Sequence, residues 1–206
     1  MPDYFALLEE PRRPWIAPDQ LKEKFLALSA KTHPDRMSLR PEAERHAAHQ
    51  HFTEINAAYQ CLREPKDRLL HLLEIESGTR PANLERLPTS AADLAFEAGQ
   101  VCRNVDAFLR EKSKVTSPLL RAQSFEKALE WADRLNELKQ SIRSRSEQVA
   151  DELRTMNAVW ESAPPGATPQ RRAILPLERL DQIYRTLSYL SRWNEQLGAR
   201  IVRLSV

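Results

Sequence analysis

The chain has 206 residues, of which 41% are hydrophobic and 29% charged, and only 4 are glycine. This composition favours long soluble helices over sheets, and the length allows one large or two small domains, each with its own core. The formal net charge of +2 is too balanced to predict electrostatic binding of DNA or RNA. No apolar run approaches the roughly 18 residues that a membrane-spanning helix needs, so no membrane partner is expected.

Two helices are predicted in the N-terminal part of the chain. The first spans about residues 3 to 10 and is too short to be stable alone, so its apolar side chains are expected to dock on the helices that follow. The second spans about 19 to 32. Its apolar stripe consists of Leu21, Phe25 and Leu28. Pro34 ends this helix, because proline lacks a backbone N–H and disfavours helical conformation in the residue before it.

A third helix is predicted over residues 42 to 63. Its apolar stripe consists of Phe52, Ile55, Tyr59 and Leu62. Two helices of this length, joined by a short loop, bury their apolar faces by folding back on each other. We therefore expect His33, Pro34 and Asp35 at the exposed tip of a helical hairpin.

A fourth helix begins at Pro65, a first-turn position that proline tolerates, and ends at Gly78. The glycine and prolines that follow predict a linker over residues 78–89. The expected organisation is therefore one domain over 1–77 and a second over 90–206.

Three long helices are predicted in the second domain, because apolar residues recur at alternating spacings of three and four. The first begins near Ser90, the second includes residues 128 to 160, and the last includes 180 to 204, after an irregular stretch from 164 to 176. These stripes predict an antiparallel three-helix bundle, which makes the whole chain all-α. A coiled-coil dimer through the last helix is the alternative, so the expected state is a monomer or a weak dimer.

Several motifs occur in a characteristic order in the first domain. Asp-Tyr-Phe lies at residues 3–5 and Lys-Thr-His-Pro-Asp-Arg at 31–36. Ile-Asn-Ala-Ala-Tyr-Gln-Cys-Leu-Arg-Glu-Pro follows at 55–65, and Arg-Leu-Leu-His-Leu-Leu at 68–73. Together these motifs cover residues 3–76 almost continuously and resemble a J-domain, the module by which J-domain proteins address Hsp70 chaperones. The resemblance is closer still to the iron-sulfur co-chaperone HscB family.

The resemblance implies an Hsp70-binding site around the His-Pro-Asp motif. Asp35 would contact an arginine of Hsp70, His33 and Pro34 would shape the loop, and nearby cations would attract an acidic surface. The implied site consists of Lys22, Lys24, Lys31, His33, Pro34, Asp35 and Arg36. The chain would then be a co-chaperone and not an enzyme, since it would stimulate ATP hydrolysis in Hsp70 and needs no cofactor of its own.

The resemblance also implies that the bundle binds a protein client, which in the HscB family is the iron-sulfur scaffold protein IscU. The implied client-binding residues are Ala95, Phe96, Gly99, Gln100, Arg103 and Tyr189. Gln100 and Arg103 stand where the family carries carboxylates, which would weaken attraction to a basic patch on the scaffold. A J-domain protein with an unrelated client, or with an assembly role for the bundle, is the alternative.

A small metal-dependent enzyme is a further alternative. Its ligand candidates are His46, His49, Glu42 and Glu54. The two histidines lie one helical turn apart and could form half a metal site, but no third ligand converges in sequence, so no metal is expected. Cys61 and Cys102 form no Cys-x-x-Cys pair and are expected to be free thiols. The acidic N-terminus does not resemble a signal peptide, and the expected location is the cytoplasm.

Overall fold

The computed structural model of the chain describes residues 2–32, 41–81, 91–166 and 168–205. Within these ranges the protein is all-α, as the composition and the apolar periodicity predicted. The helices are α1 (Tyr4–Leu7), α2 (Pro18–Thr32), α3 (Glu42–Arg63), α4 (Pro65–Ser77), α5 (Ala92–Lys112), α6 (Pro118–Ser162), α7 (Pro169–Ile174) and α8 (Leu177–Ser205).

The first helix is shorter than the predicted span of 3 to 10. It begins at the Asp3 cap, whose Oδ1 accepts hydrogen bonds from the backbone N–H groups of Phe5 and Ala6. It ends where Glu9 adopts a positive φ of 52°, which lets the N–H of Glu10 donate to the Phe5 carbonyl at 2.9 Å. Phe5 is fully buried, so α1 docks through its apolar side as expected.

The two helices of the predicted hairpin, α2 and α3, pack on each other. Phe25 of α2 stacks on Tyr59 of α3, with ring centroids 4.1 Å apart. Leu21, Ile55 and Leu62 are all buried in the same core. The apolar stripes read from the sequence are therefore the faces that the two helices bury.

The fourth helix begins and ends where the sequence predicted. Pro65 occupies its first turn, and Gly78 closes it with a left-handed φ of 75° while its N–H donates to the Glu74 carbonyl. Arg68 is buried in this helix and donates to the carbonyls of Pro14 at 2.9 Å and Leu62 at 2.7 Å. This arginine therefore fixes the connection that follows α1 against the end of α3.

Contacts divide the chain into two compact units. One comprises residues 1–83 and 150–184, and the other comprises 84–149 and 185–206. The long helices α6 and α8 each contribute residues to both. Most of the predicted linker lies outside the described residues, and the domains expected at 1–77 and 90–206 stay a prediction.

In the first unit, residues from the end of α6 pack on the N-terminal segment. The backbone N–H of Trp15 donates to Asn157 Oδ1 at 3.0 Å, and Asn157 Nδ2 donates back to the Trp15 carbonyl at 2.9 Å. The Arg154 guanidinium lies 4.8 Å from the centroid of the Trp15 ring. One asparagine thus satisfies both backbone groups of a residue far away in the chain.

The stretch predicted to be irregular between 164 and 176 contains the helix α7. The Thr168 side chain caps it by accepting from the Arg171 N–H at 3.2 Å, and Pro169 occupies its first turn. The irregular stretch was therefore predicted wrongly, although Thr168 and Pro169 are a local signal for the start of a helix. The apolar periodicity did not reveal this helix, because it is only 6 residues long.

In the second unit, three helices share one apolar core, as the stripes predicted. The fully buried members include Val105 of α5, Leu135 of α6 and Leu197 of α8. Asp106 of α5 pairs with Arg200 of α8 at 2.6 Å on the border of this core. The same packing leaves one face of α5 exposed, and that face carries the candidate client-binding residues.

Candidate functional site

Part of the implied Hsp70 site lies outside the described residues. These residues are His33, Pro34, Asp35 and Arg36. Their roles stay predictions from the resemblance. The described part of the site is the exposed face of α2.

The three lysines of α2 have different surroundings. Lys22 and Lys31 are exposed. Lys24 is bound instead, because its Nζ lies 2.9 Å from Glu10 Oε1 and donates to the Glu9 carbonyl at 2.8 Å. The Glu10 carboxylate is buried and also contacts Arg13 at 3.1 Å, so Lys24 helps to neutralise a buried anion.

The exposed face of α2 also carries an apolar residue. Leu26 is 54% exposed and follows Lys22 by one helical turn, which places both side chains on the same side of the helix. The exposure of Leu26 was not predicted from the sequence, although its position outside the stripe of Leu21 and Phe25 already indicated a side chain that faces away from the core. Lys31 follows Lys22 by about two and a half turns and therefore lies on the opposite side of α2, so the side shared by Lys22 and Leu26 offers a partner one lysine and one leucine.

His71 of α4 holds α1 in place. Its Nε2 accepts a hydrogen bond from the Tyr4 N–H at 3.0 Å, and its ring stacks on those of Tyr4 and Phe5. Burial lowers the pKa of His71, chiefly by desolvating the charged imidazole. A neutral His71 is therefore the form that accepts from Tyr4 and positions the start of the domain.

The candidate client-binding residues of α5 share one face. Phe96 is 71% exposed, Gln100 and Arg103 are exposed, and Ala95 and Gly99 are half-buried. An added Cβ at Gly99 would lie 3.4 Å from a guanidinium nitrogen of Arg103, which shows that the arginine extends back over the glycine. This face combines an aromatic ring with a cation.

The candidate aromatic on α8 lies among other rings. Tyr189 is half-buried, its ring centroid is 5.8 Å from that of Trp193, and Arg192 lies 5.8 Å from the same ring. Thr186, at the position where the resembled family carries an aromatic residue, is buried. A partner therefore cannot reach the side chain at position 186 as the structure stands, whereas Tyr189 remains partly accessible.

The metal-enzyme alternative receives no geometric support from the described part of the chain. No three residues among its His, Cys, Asp and Glu come together as a metal site, and His46 and His49 are exposed on α3. Cys61 and Cys102 are both free, as expected. Burial raises the pKa of Cys61 to about 11 and also raises that of Cys102, which disfavours the thiolate form. None of the described helices is long and apolar enough to cross a membrane.

The N-terminal part of the chain is similar to one family of known proteins. Residues 3–71 match the model of the DnaJ domain. Three curated relatives, named as co-chaperone protein HscB homologues, come from Bordetella pertussis, Bordetella parapertussis and Bordetella bronchiseptica. Each is 36% identical over 94 residues, which are 46% of this chain and 53% of the relative. The match thus spans about half the length of these relatives.

Two solved structures share the fold. The crystal structure of human co-chaperone protein HscB has a TM-score of 0.61 at 18% identity, and the match covers 97% of this chain and 82% of that chain. Chaperone HscB from Vibrio cholerae has a TM-score of 0.56 at 19% identity and 96% coverage of both chains. Residues 3–71 thus match the model of the DnaJ domain, also called a J-domain, and the chain resembles the HscB co-chaperones in sequence over about half of its length and in fold.

Proposed function

We propose that this chain is a co-chaperone of an Hsp70 chaperone. The observation that carries the proposal is the DnaJ domain match over residues 3–71. The chain would bind the chaperone and stimulate its ATP hydrolysis, while the chemistry stays in the partner. The proposed location is the cytoplasm.

The proposed contact combines the exposed face of α2 with the motif that follows it in sequence. Lys22 and Lys31 supply positive charge for an acidic partner surface, which speeds association and fixes orientation. Leu26 adds apolar area beside Lys22. Asp35 would then contact an arginine of Hsp70, as the resemblance implies. Lys24 is a weaker candidate, since its ammonium group already contacts Glu10.

Binding of the host's ATP-loaded Hsp70 to the immobilised full-length protein tests this proposal. Wild type should bind, His33→Gln should abolish binding, and Lys31→Glu should weaken it about tenfold, which corresponds to about 1.4 kcal/mol. Lys66→Glu on α4 is a matched charge reversal that should bind like wild type. If wild type binds no Hsp70 of its host, the proposed function is wrong.

For the client, we propose a protein bound on the exposed face of α5, with an iron-sulfur scaffold as the first candidate because of the resemblance to HscB co-chaperones. Phe96 would be the apolar anchor, since a large exposed aromatic side chain is typical of an interaction site. Titration calorimetry with the host's scaffold protein tests this: wild type should bind at micromolar concentration and Phe96→Ala should not.

An unrelated client is the second candidate, and the charge of the α5 face favours it. Arg103 is exposed on that face, where the resembled family carries a carboxylate. A basic scaffold surface would be repelled there. Absence of scaffold binding together with intact Hsp70 binding would support this second candidate.

A further inference from the structure

A groove runs between α5 and α6 in the second unit and encloses about 310 Å³. Its lining includes Ala107, Phe108, Arg110, Lys127 and Trp131. Phe108 and Trp131 pack partly on the core, so the floor is aromatic and held in place by buried neighbours. The Glu97–Arg134 ion pair joins the same two helices nearer the start of α5.

The groove contains a buried donor without an acceptor. The indole Nε1 of Trp131 is inaccessible to water and has no hydrogen-bond partner among the residues that the structure describes. A buried tryptophan N–H usually finds an acceptor, because leaving it unpaired costs free energy. Because not even a water molecule reaches this atom, Trp131 lines the groove with its ring surface and does not offer its N–H to a ligand.

The charges that line the groove are unbalanced. The carboxylate of Glu111 lies 3.0 Å from Lys114 and is therefore compensated. The side chains of Arg110 and Lys127, by contrast, form no ion pair with any residue in the described ranges. Two uncompensated cations beside an aromatic floor are complementary to a ligand that is both acidic and apolar.

The groove continues the candidate client-binding face of α5. Phe96, Gln100, Arg103, Ala107 and Arg110 follow one another at helical spacings of three and four, so they lie along one side of the helix. At 1.5 Å per residue the stripe is about 21 Å long, a distance that an extended peptide of about six residues spans. One continuous ligand segment can therefore reach from Phe96 to the groove.

We propose that this groove receives an extended acidic and apolar segment of the client protein. Carboxylates of the segment pair with Arg110 and Lys127, and its apolar side chains rest on the rings of Phe108 and Trp131. The inference rests on the proposed function, because the segment belongs to a client that is also anchored at Phe96. It adds to that function that the bound client segment is acidic and extended.

The probe is a fluorescein-labelled octapeptide in which aspartate alternates with leucine, and its lysine–leucine counterpart is the comparison. Fluorescence anisotropy with the full-length protein should show binding of the acidic peptide, at least tenfold tighter than that of the basic one. Arg110→Glu combined with Lys127→Glu should lower the affinity for the acidic peptide at least tenfold. Arg143→Glu, a charge reversal elsewhere on α6, should change its affinity by less than twofold.

A second variant tests the aromatic floor without disturbing the charges. Trp131→Phe keeps both cations but narrows the apolar surface, so it should weaken binding of the acidic peptide about threefold, and the melting temperature of the variant is measured alongside to check its folding. Hsp70 binding is measured in the same preparations. If the two peptides bind equally, or if the double variant binds like wild type, the groove proposal is overturned. If Hsp70 binding fails, the co-chaperone proposal is overturned instead.

Discussion

The buried ion pair between Glu76 and Arg171 allows a stability prediction with a built-in control. Glu76 is fully buried, and its two carboxylate oxygens accept from Arg171 at 2.7 and 2.8 Å. Arg171 also donates to the Pro164 carbonyl at 2.9 Å. The hydrogen bond to Glu76 raises the pKa of Arg171, so the guanidinium stays charged at neutral pH. The pair joins α4 to α7 within the first unit.

Replacing Arg171 by Met should lower the free energy of unfolding by about 3–5 kcal/mol, because it leaves a buried carboxylate without a partner. Arg179 and Glu152 make an equally short two-point contact, at 2.6 and 2.8 Å, but 49% of the arginine side chain is exposed. Arg179→Met should therefore cost only about 0–1 kcal/mol. Adding Glu76→Leu to Arg171→Met should restore stability, since no buried charge is then left alone.

Urea unfolding followed by far-ultraviolet circular dichroism at pH 7 measures these differences through the transition midpoint and its slope. The predicted order of stability places Arg179→Met close to wild type, the double variant next, and Arg171→Met last. An equal loss for Arg171→Met and Arg179→Met would refute the argument from burial. A double variant no more stable than Arg171→Met would refute the argument from an uncompensated charge.

Three further predictions follow from buried polar groups. Burial lowers the pKa of His71 below its ordinary value of 6.5. Between these two pKa values the histidine is protonated in the unfolded chain and neutral in the folded one, so stability falls as the pH falls below 6.5. The stability advantage of wild type over His71→Gln in urea should therefore shrink between pH 7 and pH 5. Arg68→Lys cannot make both carbonyl hydrogen bonds and should lose about 1.5–3 kcal/mol in thermal unfolding. Burial lowers the pKa of Arg68 only to about 10, so the wild-type guanidinium stays charged at both pH 6 and pH 8. With its pKa near 11, Cys61 should react with iodoacetamide at pH 8 about 100-fold more slowly than an ordinary thiol. Peptide mapping measures this rate, and the same measurement in urea, where the chain is unfolded, should give the rate of an ordinary thiol.

Helix ends were predictable where the sequence carries a local stop signal. The predicted span of 42 to 63 coincides with α3, because Pro65 starts the next helix and Glu64 is extended between the two. Gly78 likewise ends α4 in the left-handed conformation that glycine adopts easily. The end of α1 was missed because Glu9, a residue without that freedom, takes the left-handed position there.

The partners of buried charges were not predictable. Glu76 and Arg171 are 95 positions apart, and nothing in either local sequence indicates that they meet. The contact of Lys24 with Glu10 depends in the same way on how α2 lies against the turn after α1. Lys24 therefore looked equivalent to Lys22 in the sequence, whereas the structure gives the two lysines different surroundings.

The exposed face of α5 was partly predictable. The apolar stripe gives the helix register, and from it Phe96, Gln100 and Arg103 fall together on the opposite side. The groove beyond them was missed, because it depends on how α6 packs beside α5. The roles of His33, Pro34, Asp35 and Arg36 stay predictions from the resemblance.

The proposed function is that this chain drives ATP hydrolysis in an Hsp70 through the part that matches the DnaJ domain. The most direct measurement is the single-turnover rate of phosphate release from the preformed complex of ATP with the host's Hsp70, with and without the full-length protein. Wild type should raise the rate at least several-fold, Asp35→Asn should leave it at the basal value, and Asp93→Asn on α5 should act like wild type. Equal rates with wild type and with Asp35→Asn would contradict the account.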